Sequence, residues 1–172
     1  MAGKITSRLI DWFKHNYLDS NKKLKILDVG SLDVNGNCRK TFNENNWQYV
    51  GLDVESGKNV DIVVSSSAKD WEIREEYDVI LCLNTLEHVP DMTGLMKRMS
   101  TALKPDGLLF VIVPGVSKEG TCHSEHRYPV DCWRILPDGL DFLFCNAGLQ
   151  TITTEVYHSH TAGVASRRAK RP

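Results

Sequence analysis

The sequence predicts a doubly wound α/β domain, a mostly parallel sheet with helices on both faces. Three observations predict it. Short apolar runs near Ile26, Val50, Ile62, Ile80, Phe110 and Ile152 alternate with stretches of helical period. The first run breaks at Gly30 into a polar, turn-forming loop. The second ends on an acid, Asp53.

Ile5 to Leu18 opens the chain as an amphipathic helix, with Ile5, Leu9, Trp12, Phe13 and Tyr17 on one stripe. Asp19 to Lys23 is a polar break. Leu24 to Asn37 is the stretch around which the chain is organised: Ile26, Leu27 and Val29 suit a strand buried on both faces, and Gly30 begins the loop after it. A buried strand feeding a glycine loop and then a helix is a nucleotide-binding turn, in which free N–H groups face the ligand. The full dinucleotide fingerprint is absent, because Ser31, Leu32, Asp33 and Val34 follow Gly30. That argues against a pyrophosphate. Asp28 suits a cationic or hydroxyl-rich ligand better, and an ordinary strand–turn–helix stays open as the bland reading.

Residues 36 to 46 read as a short helix plus loop anchored by Phe42. Trp47 to Asp53 is the second strand. Asp53 lies about 20 residues after Gly30, where α/β nucleotide folds place a carboxylate on ribose hydroxyls; a solvated strand-end Asp is the alternative. Val60 to Val64 is the third strand, and Ser65, Ser66 and Ser67 either bond an adenine edge or cap a helix starting near Ala68. Tyr77 to Leu83 is the fourth, wholly buried strand. It opens into Asn84-Thr85-Leu86-Glu87-His88-Val89-Pro90-Asp91, polar groups at the strand end where open α/β sheets bind ligands.

Met92 to Leu103 is a helix with Met92, Leu95, Met96, Met99 and Leu103 inward. Lys104-Pro105-Asp106-Gly107 is a turn, and Leu108 to Val113 is the fifth strand. Pro114 to Ile135 is a long aperiodic loop of the kind that carries function. Pro137 to Ala147 is the last helix, with Pro137 near its start and Gly148 just past its end. Leu149 to His158 alternates as a sixth strand. The domain is thus expected over residues 1–158, and 159–172 as a basic, mobile tail containing Arg167, Arg168, Lys170 and Arg171.

Composition narrows the functional classes. A hydrophobic fraction of 41% and a charged fraction of 25% are those of a soluble globular protein. A net charge of −1 gives no global field toward nucleic acid or an anionic membrane. The five cysteines, an odd number, read as reduced thiols. With no signal peptide or spanning segment in view, a cytoplasmic location is expected.

Five motifs together resemble the class I S-adenosylmethionine-dependent methyltransferases. They are Ile26-Leu27-Asp28-Val29-Gly30-Ser31, Tyr49-Val50-Gly51-Leu52-Asp53, Tyr77-Asp78-Val79-Ile80, Leu86-Glu87-His88-Val89-Pro90-Asp91 and Leu103-Lys104-Pro105-Asp106-Gly107-Leu108. The Gly30-to-Gly36 loop is also similar to a small-molecule or glycan-cluster branch of that family. So is the His126, Pro129, Asp131, Trp133, Arg134 pattern with Pro137, Gly139 and Leu140. The resemblance implies a Rossmann-like sheet, S-adenosyl-L-methionine as cofactor and a small-molecule methyl acceptor, with a hydroxyl preferred.

It implies that Asp28, Gly30, Ser31 and Leu32 hold the methionine end, and that Asp53 holds the ribose. Ser66 would lie along the adenine, with Asn84 and Leu86 beside the sulfonium. Cys132 and Ile135 stand where relatives more often carry aromatic residues. Glu87-His88 also invites comparison with ubiquinone-biosynthesis O-methyltransferases, but Asn84 replaces one metal-binding acid and no metal is expected.

A hydroxyl acceptor needs a base, and His88 is the candidate, against a histidine that merely shapes the loop. His126, Asp131, Trp133 and Arg134 are candidates for substrate binding, against an Asp131–Arg134 pair that pins the loop. Cys122-His123-x-x-His126 with Cys132 has zinc-type ligands at a spacing that matches no standard zinc pattern. A non-catalytic cofactor-binding or partner-binding protein of the same fold is the second reading. A nicotinamide dehydrogenase is disfavoured by Leu32 and Val34.

The family sheet usually has seven strands, the last antiparallel. Thr161-Ala162-Gly163-Val164-Ala165 has little apolar bulk, so that strand is expected to be missing. The fifth-strand edge would then be closed by a shifted sixth strand, a partner chain or a second copy.

Overall fold

The computed structural model describes residues 3–34, 36–42, 47–65, 76–124 and 130–167. Helix α1 (Lys4–Tyr17) precedes strand β1 (Lys25–Val29), the short helix α2 (Arg39–Phe42) and strands β2 (Gln48–Asp53) and β3 (Ile62–Val63). Strand β4 (Tyr77–Leu83) leads through a 3-10 turn (Leu86–His88) to α3 (Met92–Ala102) and β5 (Leu103–Pro114). Helix α4 (Pro137–Asn146) and strands β6 (Gln150–Tyr157) and β7 (His160–Ser166) complete the chain. The sheet has seven strands in the order β3-β2-β1-β4-β5-β7-β6. Strands β1 to β5 pair in parallel, while β7 runs antiparallel to both β5 and β6.

Alternation along the central strands feeds two cores. Leu27, Val29, Ile80, Leu109, Val111 and Val113 face Met96, Met99 and Phe144 of α3 and α4. Ile26, Leu81, Phe110 and Ile112 face Leu9, Ile10 and Phe13 of α1. Phe13 stacks on Phe110, with ring centroids 4.3 Å apart and planes 7° from parallel. Successive strand residues point to opposite faces, so a continuous apolar run is what a two-sided sheet requires.

Strand β7 corrects the expectation of a missing seventh strand. Residues 160–166, expected in a mobile tail, are the sheet neighbour of β5 from Leu108↔Ser166 to Pro114↔His160. The fifth-strand edge is therefore covered within the chain, and needs neither a shifted β6 nor a partner. The small residues of β7 have a packing reason. A Cβ on Gly163 would lie 2.7 Å from Leu140 Cδ2 and 2.9 Å from Phe144 Cε2, so α4 sits where a larger side chain would stand. Low bulk here marks close helix-on-strand packing.

The expected turn at residues 104–107 is instead a bulge inside β5. Tyr77 pairs with Leu103 and Val79 with Leu108, and Asp106 adopts a φ of 62° between them. The helix expected near Ala68 and the basic residues Arg168, Lys170 and Arg171 lie outside the described residues.

Candidate functional site

The strand order reverses between β1 and β4, so the loops leaving Val29 and Leu83 flank the crevice where such sheets bind ligands. Gly30 has a φ of +80°, and a Cβ there would meet the Thr85 hydroxyl at 2.2 Å. The glycine thus admits Thr85, from the end of β4. Thr85 Oγ1 in turn lies 3.2 Å from the Val29 carbonyl and 3.3 Å from that of Leu83.

The loop spends its backbone donors inside the protein. Gly30 and Ser31 both donate to Leu52 O, at 2.9 and 3.1 Å. Leu32 N–H donates to Asp53 Oδ2 at 2.9 Å, and Asp33 N–H to Lys58 O at 3.1 Å. Ser31 is buried, with its hydroxyl donating to Asn59 O at 3.2 Å. The expectation that free N–H groups face the ligand, with Gly30 approached closely by it, is corrected. Without free donors the loop is no phosphate cradle.

Asp28 lies beneath this loop, buried, accepting from the Tyr49 hydroxyl and from the Cys38 thiol at 3.6 Å. Burial pushes its carboxyl up to about 6, against the pull of those two hydrogen bonds and of Arg39. Burial and the Asp28 charge push Tyr49 and Cys38 upward as well, so both stay protonated donors. Arg39 stacks over the Tyr49 ring at 4.6 Å. It donates to Asn59 Oδ1 at 2.6 Å and to Asp61 Oδ2 at 2.5 Å. Asn59 Nδ2 donates to Ser31 O at 2.7 Å, and Gly51 N–H to Asp61 Oδ2 at 2.7 Å. This clasp holds α2, β2 and the glycine loop as one piece.

Asp53 sits at the carboxyl end of β2. Its Oδ1 accepts from Val54 N–H at 2.7 Å and Glu55 N–H at 3.2 Å, and its Oδ2 from Leu32 N–H. A carboxylate offers about four lone-pair positions, so one on Oδ2 remains for a hydroxyl.

At the end of β4, Asn84 turns the chain with a φ of 52°, its N–H held by Ile112 O at 2.8 Å. Its Nδ2 donates to Thr6 Oγ1 of α1 at 3.2 Å, while its Oδ1 is buried without a hydrogen-bond partner. Leu86 is a correction. Its side chain is wholly buried in the core against α3 and does not reach the crevice.

Glu87 is also wholly buried. Burial pushes its carboxyl up to about 8, reinforced by Asp131 and opposed by a backbone hydrogen bond and by Arg134. His88 Nδ1 meets the Val130 carbonyl, and its Nε2 lies 3.6 Å from Glu87 Oε1. A carbonyl only accepts, so Nδ1 carries the proton and Nε2 is the basic nitrogen.

Residues 130–135 lie along this turn. Cys132 N–H donates to Glu87 O at 2.7 Å, and Trp133 Nε1–H to Val89 O at 3.0 Å. The Arg134 guanidinium clamps Asp131 through Nη1–Oδ1 at 2.5 Å and Nη2–Oδ2 at 2.7 Å. It also donates to the carbonyls of His123 (3.0 Å), Ser124 (3.0 Å) and Trp133 (2.7 Å). A guanidinium has five N–H donors, and these contacts use all five. Arg134 and Asp131 therefore clip residues 123–124 to 131–134, which corrects their expected role in binding substrate. Ile135 is buried in the core, whereas Trp133 is partly exposed. Ser66 and His126 lie outside the described residues.

Sequence reasoning passed over Thr6, Tyr49, Asn59 and Thr85 as site residues and used Glu87 only in a metal comparison. Thr85 and Glu87 stood in the motif after β4. Tyr49 opened the second motif, whereas Thr6 and Asn59 are joined to the site only by the fold and left no local pattern.

A family model described as a methyltransferase domain matches residues 1–152. The chain belongs to that family. The ubiquinone biosynthesis O-methyltransferase of Stutzerimonas stutzeri (strain A1501) is 29% identical over 112 residues, 55% of this chain and 47% of that protein. The chain thus spans about half the length of that relative. Among solved structures, the Burkholderia thailandensis 1,6-didemethyltoxoflavin-N1-methyltransferase has bound 1,6-didemethyltoxoflavin and S-adenosylhomocysteine. It superposes with a TM-score of 0.71 at 16% identity, covering 96% of this chain and 79% of that one. A Haloferax volcanii protein in complex with the Trm112 methyltransferase activator superposes with a TM-score of 0.69 at 12% identity, covering 95% and 94%. At these identities the structural likeness speaks for the fold. The methyltransferase-domain chain carries a seven-stranded sheet. Among its described residues no helix is long and apolar enough to cross a membrane.

Proposed function

We propose that this methyltransferase-domain chain transfers a methyl group from S-adenosyl-L-methionine to the hydroxyl of a small-molecule acceptor, by in-line displacement. The observation that carries the proposal is the polarity of the crevice. Its backbone donors are spent on Leu52 O and Asp53, while an acceptor position remains at Asp53 Oδ2. Such an arrangement suits a cation bearing hydroxyls and fits a pyrophosphate poorly. When bound, the cofactor supplies a reactive methyl group on a sulfonium.

The chain's own residues do the rest. Asp53 accepts from a ribose hydroxyl, and the clasp beneath the loop keeps that carboxylate in place. His88, oriented by Val130 O, takes the acceptor's proton at Nε2. The 130–135 segment is tied along the turn by Cys132 N–H on Glu87 O and Trp133 Nε1–H on Val89 O. The five cysteines carry free thiols, which fits a reducing, cytoplasmic setting.

A second reading is a protein that binds the cofactor without turning it over. What favours it is the enclosure of His88, its side chain 18% exposed between Glu87 and Val130. Calorimetry with S-adenosylhomocysteine, S-adenosylmethionine and NAD tests the cofactor: binding of the first two and not the third is expected, and the reverse would overturn the proposal. Turnover against a panel of hydroxyl and amine acceptors separates enzyme from binder.

A further inference from the structure

We infer that Asn59 is a positioning residue for the proposed reaction: it sets the peptide that aims the Asp53 carboxylate at a hydroxyl of the cofactor. This rests on the proposed use of Asp53 toward the ribose. The Ser31 carbonyl and the Leu32 N–H belong to one planar peptide unit. Its oxygen accepts from Asn59 Nδ2 at 2.7 Å, and its N–H donates to Asp53 Oδ2 at 2.9 Å. Turning that peptide turns both contacts together, so the Asn59 amide and the Asp53 carboxylate are joined through one rigid plane.

The amide is itself held from behind. Arg39 Nε donates to Asn59 Oδ1 at 2.6 Å, and Asn59 Nδ2 also reaches the Tyr49 hydroxyl at 3.3 Å. A guanidinium only donates and a carbonyl only accepts, so the amide cannot be turned over without losing both contacts. The cation on Oδ1 strengthens the donors on Nδ2, and these polarise the peptide whose N–H meets Asp53. The backbone of Asn59 is fixed as well. Its carbonyl accepts from Ser31 Oγ at 3.2 Å and from Arg39 Nη2 at 3.0 Å. A Cβ on Gly51 would lie 2.0 Å from that carbonyl oxygen, so the glycine of β2 lets it in. Asn59 has a φ of 76°, a left-handed conformation that asparagine tolerates better than most residues. The position requires this backbone together with a donor and an acceptor on one short side chain, and asparagine supplies all three.

Calorimetry with S-adenosylhomocysteine compares wild type, Asn59→Gly, Asp53→Ala and the double variant, each shown folded by circular dichroism at the working temperature. Asn59→Gly keeps the left-handed backbone and removes the amide. It should weaken binding about three- to tenfold in the wild-type background, and by less than about twofold where Asp53 is already Ala. Amide NMR gives a matching signature without ligand. The Leu32 N–H signal should shift in Asn59→Gly, while that of Asn84, held by Ile112 O, stays in place. If Asn59→Gly does not fold, Asn59→Asp, which keeps an oxygen toward Arg39 and loses the donor, should show the same pattern. Equal weakening in both backgrounds would overturn the inference, since a contact that only stabilises the loop acts independently of Asp53. So would unaltered affinity, or a Leu32 signal that does not move. In each of these cases, binding by wild type leaves the cofactor assignment standing. Wild type that does not bind S-adenosylhomocysteine would overturn that assignment and this inference with it.

Discussion

Replacing Arg134 by Met distinguishes a structural clip from a substrate anchor. The Arg134 side chain is 17% exposed and that of Asp131 1%, and the pair is bidentate. Removing one partner of a buried pair costs about 3–5 kcal/mol, chiefly because the remaining charge loses its counterion where water cannot replace it. Arg134 keeps some solvent contact, so a value near the lower end, about 3 kcal/mol, is expected. Urea unfolding of wild type, Arg134→Met, Asp131→Asn and the double variant, read at equal m-values, gives both the loss and the coupling. The coupling should be about 1–3 kcal/mol. S-adenosylhomocysteine affinity should hardly move, because the clip ties loop to loop. A stability loss below about 1 kcal/mol, with a raised KM for an anionic acceptor, would refute the reasoning and return Arg134 to the substrate.

Gly163→Val should destabilise by about 1–3 kcal/mol, since Leu140 and Phe144 already occupy the space of its Cβ; an unchanged Tm would mean that α4 does not pack there. Burial raises Glu87 from about 4.3 in the unfolded chain to about 8, so the native state holds a proton the unfolded chain has released. Its contribution is therefore full below about pH 4 and declines as pH climbs toward 8, and Asp28 acts in the same direction between about 4 and 6. Glu87→Gln should flatten the fall in urea midpoint between pH 5 and pH 8, and an unaltered slope would count against a buried, protonated Glu87. Asp53→Asn keeps the side-chain shape beside Leu32 and should cost about 1.5–3 kcal/mol in S-adenosylhomocysteine affinity by calorimetry, with unaltered affinity removing Asp53 from the ribose. His88→Ala should lower turnover about 10²–10⁴-fold with cofactor binding intact, and a loss below about tenfold would leave His88 as a loop contact.

Much of the fold was legible because its signals are local. All six expected strands and the stripes of α1 and α3 follow from residues a few positions apart, such as Leu95, Met96 and Met99. Strand β7 was not legible, for the opposite reason. Its Gly163 is small because of Leu140 and Phe144, more than 18 positions earlier, and no window around residue 163 contains that fact. Bulk reports burial only where the neighbour leaves room for it.

The site divides along the same line. Asp53 was proposed from its distance to Gly30, a spacing set by one strand–helix–strand unit. Where the loop's donors point depends on Leu52 O and Lys58 O, residues of another strand and another turn, so the same Gly30 could be read as a ligand cradle. Its actual neighbour is Thr85, across the switch point. That difference has a chemical consequence. A loop that closes its N–H groups on β2 leaves the Asp53 carboxylate as its acceptor, which suits hydroxyls better than phosphate. The absence of a second glycine follows from it, since no phosphate has to approach the backbone. The altered fingerprint and the polarity of the crevice are two results of one arrangement, in which Asp53 is held by Leu32 and Asn84 by Thr6.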